Sequence, residues 1–190
     1  MSRAHAPLSA SLPAPVSAPS AVPGWQRFDL SLCERVHDGC RREVLALFRV
    51  VSRLGNGPAW YALALGLLGL YGEAAAVPVL RMLVTGMLGS ALYWLIKSRA
   101  ARPRPFMVSA SLNAEEPPLD EFSFPSGHTL HACLYAVLAG AVFPWTLWIL
   151  VPFAVLTAAS RIALGLHYPT DVAAGAALGC TLAWLALALV

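Results

Sequence analysis

The sequence predicts an all-α fold: a polytopic membrane helix bundle of about five transmembrane helices, preceded by an N-terminal amphipathic interfacial helix. Three observations predict it. The 190 residues are 58% hydrophobic and only 12% charged, with a mean hydropathy of +0.65, too apolar for an ordinary soluble domain. Five apolar runs approach the length needed to cross about 30 Å of hydrocarbon. Three short polar clusters, Lys97–Pro105, Pro125–His128 and Ser160–Asp171, stand at the ends of such runs, where ionisable groups need water or a shared task.

Taken in order, residues 1–24 are rich in Ala, Pro and Ser and lack the continuous apolar core of a secretory signal, so a disordered tail is expected. Over 25–56, Leu30, Val36, Val44, Leu47, Val51 and Leu54 recur at helical spacing. Arg35, Arg41, Arg42, Arg49 and Arg53 crowd between them, which fits a helix lying on a membrane surface better than one spanning it. Gly55-Asn56-Gly57-Pro58 ends that pattern, and 57–190 is read as the transmembrane bundle. Its apolar runs cover roughly 58–71, 74–96, 129–143, 145–164 and 170–190, with a Phe143-Pro144-Trp145 corner turning the third back on the fourth. Alternate threading brings all three polar clusters to one face, as active-site loops 97–128 and 161–171.

The residue types suggest phosphate chemistry. Lys97 offers a mobile ammonium at a helix end and Arg104 a planar guanidinium seven residues on, suited to phosphate oxygens from different directions. Taken alone, the same cations also read as interfacial anchors. Pro105 is expected to end any helix there. Ser126 and Gly127 fall at a helix N-terminus whose free N–H groups attract anions, with His128 beside them as a proton donor; ordinary capping explains the pair equally well. Arg161, His167 and Asp171 form the richest cluster. Pro169 suits a first helical turn, so Asp171 can fold back on one imidazole nitrogen of His167 and leave the other as a nucleophile.

Lys97-x6-Arg104-Pro105, Pro125-Ser-Gly-His128 and Ser160-Arg161-x5-His167-x3-Asp171 together resemble, in order and spacing, the three-part signature of the type 2 phosphatidic acid phosphatase superfamily, which also includes vanadium-dependent haloperoxidases. The resemblance covers Lys97 to Asp171 and the flanking spans, and every signature position is filled. It implies an integral membrane phosphatase, independent of metal or other cofactor, that cleaves a lipid phosphate monoester or isoprenyl diphosphate through a phosphohistidine. His167 is then the nucleophile, Asp171 its orienting carboxylate and His128 the general acid. Lys97, Arg104, Ser126, Gly127 and Arg161 hold the phosphate. Many relatives have six spans, whereas five are expected here.

Two other classes are compatible with the same residues: a vanadate-dependent haloperoxidase-like enzyme, and a non-catalytic protein that binds or transports a lipid phosphate. Nucleic acid is not an expected partner, because a net charge of +3 is modest and the arginines are not interleaved with exposed aromatics. Cys33, Cys40, Cys133 and Cys180 form no CxxC pair. His131 shares a helical face with His128 and reads as a packed or pore-facing histidine rather than a metal ligand. The acidic loop 106–124, with Glu115, Glu116, Asp120 and Glu121, reads as solvated and, less directly, as a lid. The resemblance suggests a bacterial cell membrane with the site on the outer face, whereas the excess of Lys and Arg on that face argues for the cytoplasmic side. The sequence chooses neither the side nor the lipid, and it does not define an oligomeric state.

Overall fold

The computed structural model describes residues 24–118 and 120–189. The tail expected over 1–24 lies outside the described residues, apart from Gly24, which opens the first helix. Eight α-helices follow one another: α1 Gly24–Asp38, α2 Arg42–Gly55, α3 Pro58–Tyr71, α4 Ala76–Ala100, the single turn α5 Pro105–Val108, α6 Gly127–Val142, α7 Leu147–Ala163 and α8 Pro169–Ala188. Short 3-10 turns at Gly72–Ala75 and Pro144–Thr146 link α3 to α4 and α6 to α7. Among the described residues there is no β-strand, only an isolated bridge between Pro103 and Phe122.

The five apolar helices predicted from the sequence are α3, α4, α6, α7 and α8. The stretches 58–100, 144–163 and 169–188 contain helices long and apolar enough to cross a bilayer, the first holding both α3 and α4, while α6 is apolar but shorter. Gly72, with φ of +55°, turns the chain between α3 and α4 in a region that costs glycine little. Leu65, Leu80, Met87, Trp148, Ile149 and Trp184 are exposed on the outside of the bundle, a surface suited to lipid chains.

Helix α6 occupies the middle, against α4, α7 and α8, with Leu130, Leu134, Leu138 and Ala139 in the main core. Its neighbours explain how a short helix can be so apolar: it is surrounded by protein. The closest packing is with α8, whose buried residues Asp171, Gly175, Gly179 and Ala183 recur every fourth position and so line one face. A Cβ at Gly175 would run into the Ser126 carbonyl, and one at Gly179 into that of Leu130. The two backbones therefore touch without intervening side chains, the geometry that small residues four apart permit in membrane helices.

Three expectations need correction. The amphipathic segment is two helices rather than one, broken at Gly39-Cys40-Arg41. Its second half also does more than lie on a surface. Leu45, Val51, Ser52 and Gly55 of α2 are buried, and α2 packs along α7, while Leu47, Val50 and Leu54 stay exposed beside it. Pro105 opens the short helix α5 instead of ending one; α4 stops earlier, where Ala101 adopts φ of +44°. Finally, the acidic loop is not simply solvated, since Glu116 is buried and Asp120 reaches a buried cation pair.

The α6–α8 contact sets a stability expectation. Gly179→Ala should destabilise the bundle by about 1–3 kcal/mol, the usual cost of overpacking. Gly66→Ala, at a position with nothing within 4 Å, should not. Thermal unfolding of the two variants in detergent checks this: a lowered midpoint is expected for the first alone.

Candidate active site

Four chain segments converge at one end of the bundle. Lys97 closes the last turn of α4, and Arg104 follows it on the extended link to α5. Ser126 caps α6, with Gly127 and His128 as its first residues, and Arg161 lies in the last turn of α7. His167 stands in the α7–α8 turn, one residue before the cap of α8, and Asp171 is the third residue of α8. The N–H groups of Leu166 and His167 both donate to the Arg161 carbonyl, at 3.1 and 3.0 Å, while Gly165 takes φ of +69°. The α7–α8 turn thus fixes His167 against the residue that also sends a guanidinium into the site. Ser126 N–H donates to the Asp171 carbonyl at 3.0 Å, so the N-terminal ends of α6 and α8 meet there.

Every residue named from the sequence is brought to this region, and the charged ones are buried. Lys97 and Arg104 are 5% and 1% exposed, Arg161 3%, His167 2% and Asp171 0%. Arg104 donates through Nη1 to the Leu166 carbonyl at 2.8 Å, and the same nitrogen is 3.4 Å from His167 Nε2. A guanidinium only donates, so Nε2 is the accepting nitrogen and the ring proton belongs on Nδ1. Nδ1 makes no hydrogen bond and faces Asp171 Oδ2 at 3.7 Å. Burial, and after it the charges of Arg161, Arg104 and Lys97, hold the imidazole well below its ordinary pKa of 6.5. His167 is therefore a neutral ring with an accepting nitrogen among cations, which suits a nucleophile toward phosphorus. His128 Nε2 is likewise buried and unpartnered.

Three neighbours of these residues had no role in the sequence analysis. Arg102 Nη1 donates to Asp171 Oδ1 at 2.6 Å, its Nη2 to Asp29 Oδ2 of α1 at 2.7 Å, and its guanidinium stacks 3.7 Å from the Tyr168 ring centroid. Asp171 Oδ2 also accepts the Tyr168 N–H at 2.9 Å. Both oxygens of the buried carboxylate are thereby fixed, and one of them is turned toward His167. Asp29 in turn accepts from Thr170, through backbone and hydroxyl, which pins α1 to the start of α8. Ser52 of α2 accepts a hydrogen bond from Arg161. Arg102 was visible as a second Arg-Pro pair next to Arg104-Pro105; Asp29 and Ser52 carry no sequence signal, since each acts across more than 70 residues.

The site opens into a cavity of about 510 Å³. Lys97, Arg104, His128, Arg161 and His167 line one part, whereas Ala64, Met82 and Leu83 of α3 and α4 line another. A polar head and an apolar tail can be held at once. His131 lies along this cavity with Nδ1 2.8 Å from the Gly127 carbonyl and Nε2 3.0 Å from Ser90 Oγ, so it is packed and hydrogen-bonded.

Comparison with known proteins gives the family. Residues 77–190 match the PAP2 superfamily, and the chain belongs to that superfamily. It is 36% identical over 160 residues to a decaprenylphosphoryl-5-phosphoribose phosphatase of Mycobacterium tuberculosis, covering 74% of this chain and 86% of the relative. An undecaprenyl-diphosphatase of Bacillus subtilis, BcrC, is 36% identical over 113 residues, 59% of this chain and 58% of that one. The crystal structure of LpxE from Aquifex aeolicus superposes with a TM-score of 0.74 at 25% identity, covering 85% of this chain and 95% of that one. The protein is an integral membrane lipid phosphatase.

Arg102 gives the expectation for this site. Arg102→Ala should lower kcat by about 10–100-fold, as loss of a supporting partner does, with KM changed by less than about threefold. Arg102→Lys should recover part of it. In an Asp171→Asn background the Arg102→Ala effect should shrink, because two residues acting through one carboxylate are not additive. Steady-state phosphate release checks all three.

Proposed function

We propose that this site hydrolyses a lipid phosphate monoester or an isoprenyl diphosphate in two steps through His167. The observation that carries the reading is the single cavity in which a neutral, buried imidazole stands among three cations and the walls continue as apolar helix surface. Lys97, Arg104 and Arg161, with Ser126 and the Gly127 backbone, hold the phosphate oxygens and offset charge that builds up in the transition state. His167 Nε2 attacks phosphorus, the N–P bond forms as the ester or anhydride P–O bond breaks, and His128 delivers a proton to the departing oxygen. Asp171 balances the positive charge on the phosphorylated ring. Water then attacks phosphorus, His128 takes its proton, the N–P bond breaks and inorganic phosphate leaves. His167 is restored.

The two curated relatives act, by name, on polyprenyl-linked phosphate and diphosphate. Those names support an isoprenoid lipid as the substrate, and the apolar Ala64, Met82 and Leu83 wall is suited to a lipid chain. The same relatives, both bacterial, support placement in a bacterial cell membrane.

Purified protein in detergent should release phosphate from a panel of lipid monophosphates and diphosphates, with activity surviving a metal chelator. His167→Ala should lose at least about a thousandfold in kcat while its thermal unfolding is unchanged. Folded wild-type protein that releases phosphate from none of these lipids refutes the proposal. The pH profile has a definite sign. Protonation removes the His167 nucleophile, so activity falls as pH falls, and because burial and the neighbouring cations lower its pKa, this limb of kcat/KM should lie below pH 6.5. A reporter fused after Val190 reads the face opposite the site and so assigns its side.

A further inference from the structure

The cations assigned above to substrate phosphate already hold an anion that belongs to the protein. Asp120 lies between Lys97 and Arg104, with carboxylate oxygens 2.8 Å from Lys97 Nζ and 2.8 Å from Arg104 Nη2. Its backbone carbonyl accepts from Arg104 Nε at 3.0 Å. Four residues earlier, Glu116 is directed at the third cation. Its Oε2 is 3.9 Å from Arg161 Nη1 and accepts from Ser52 Oγ at 2.5 Å, while Oε1 is 3.2 Å from Arg53 Nε. The acidic loop thus reaches all three phosphate-binding cations, and Asp120 does so by direct contact with two of them.

Asp120 keeps its charge in this place. Burial alone would raise its carboxyl, but the hydrogen bond and charge of Lys97, together with those of Arg104, override that and hold it below its ordinary value. Its side chain is 28% exposed, against 7% for Lys97 and 2% for Arg104, so of the three partners it is the one with a path to solvent. Lys97 and Arg161 stand in the last turns of α4 and α7 and Arg104 directly before α5, whereas Asp120 is carried by the loop between α5 and α6.

What displaces it depends on charge. A carboxylate and the phosphate of a phosphodiester are alike: each carries one negative charge shared over two free oxygens. Exchanging one for the other leaves the charge at Lys97 and Arg104 unchanged, so nothing electrostatic favours the exchange. A phosphate monoester or a terminal diphosphate carries about −1.5 to −2 on its end group, with three free oxygens. It can engage Lys97, Arg104 and Arg161 together, and the extra charge favours its entry. This distinction matters in a bilayer, where anionic phosphodiester head groups crowd any cationic pocket at the interface.

We propose that Asp120 is a specificity-determining residue, a resident monoanion on Lys97 and Arg104 that phosphate monoesters and diphosphates displace and the phosphodiester head groups of the surrounding membrane do not. Selection works by competition, since the protein sets a threshold of charge that a ligand has to exceed. The inference rests on the proposed function only in taking Lys97 and Arg104 as phosphate holders.

Binding can be read without turnover. In the His167→Ala background, calorimetry in mixed micelles compares short-chain phosphatidic acid, a monoester, with short-chain phosphatidylglycerol, a monoanionic diester. Replacing Asp120 with Asn or Ala should narrow the preference for the monoester by at least about tenfold, mainly by tightening phosphatidylglycerol binding, and Asp120→Glu should restore it. In protein with Asp120 intact, phosphatidylglycerol should inhibit phosphate release weakly; in Asp120→Asn it should inhibit strongly. An unchanged ratio of the two affinities in the neutral variants overturns the proposal. So does equal weakening of both ligands, which would show that Asp120 only holds the cations in place. Phosphate release by the otherwise unaltered protein, measured alongside, reports separately on the phosphatase function.

Discussion

The close contact between the start of α6 and the first three turns of α8 governs the rest of the molecule. Gly175 and Gly179 bring the α8 backbone against the carbonyls of Ser126 and Leu130, and the Ser126 N–H reaches the Asp171 carbonyl at 3.0 Å. That approach puts two helix N-termini side by side: the first N–H groups of α6, beginning at Gly127, make the region favourable for an anion, whereas those of α8 are taken up by Asp29 and the Tyr168 carbonyl. It also places His128, from the first turn of α6, in the cavity that His167 enters from the turn before α8. Any side chain at Gly175 or Gly179 would separate the helices and the two imidazoles with them. Catalytic geometry is thus inherited from a packing constraint in the apolar interior.

The charged groups obey a second constraint. Burying Lys97, Arg104 and Arg161 so deeply is expensive unless each finds partners, because a low-dielectric interior penalises an uncompensated ion by several kcal/mol. The carboxylates of Asp120 and Glu116 supply the compensation in this structure. Asp171 pairs with Arg102, a guanidinium it shares with Asp29, and not with any of the phosphate cations. The arrangement separates two tasks: one carboxylate stays beside His167, and the others cover positions that a phosphate can take. A single shared network would couple the orientation of the nucleophile to the presence of substrate.

The sequence made the helices legible because membrane spans announce themselves by length and composition, and it made the catalytic residues legible because they stand at fixed spacings on adjacent turns. Lys97, Arg104, His128, Arg161, His167 and Asp171 all arrive in one region, as the threading of five apolar runs implied. Long-range pairings were illegible. Nothing in Asp29 or Ser52 points to Arg102 or Arg161, because the contacts are made by tertiary packing of α1 and α2. The break at Gly39-Cys40-Arg41 was hidden by an apolar periodicity that continues across it. The acidic loop was misjudged for a related reason: composition reports that Glu116 and Asp120 prefer water, not that buried cations will draw them in. By contrast, the Gly175-x3-Gly179 spacing was open to view and is a sequence-level signal of close helix contact.

The superfamily match begins at residue 77, yet α1 and α2 take part in the site. Their contribution follows from where the five apolar helices end. Arg161 and Asp171 lie within one turn of helix termini, positions that water would reach if the bundle simply stopped there. Helix α1 closes one side by tying Asp29 to Arg102 and Thr170, and α2 closes the other by setting Ser52 and Gly55 against Arg161, Thr157 and His128. Excluding water strengthens every charge interaction inside, since the effective dielectric falls. It also keeps both imidazoles away from bulk solvent. The amphipathic helices therefore serve the chemistry as much as the membrane surface: their exposed apolar faces remain available to lipid, while their inner faces wall a cationic pocket that the three motifs alone do not enclose.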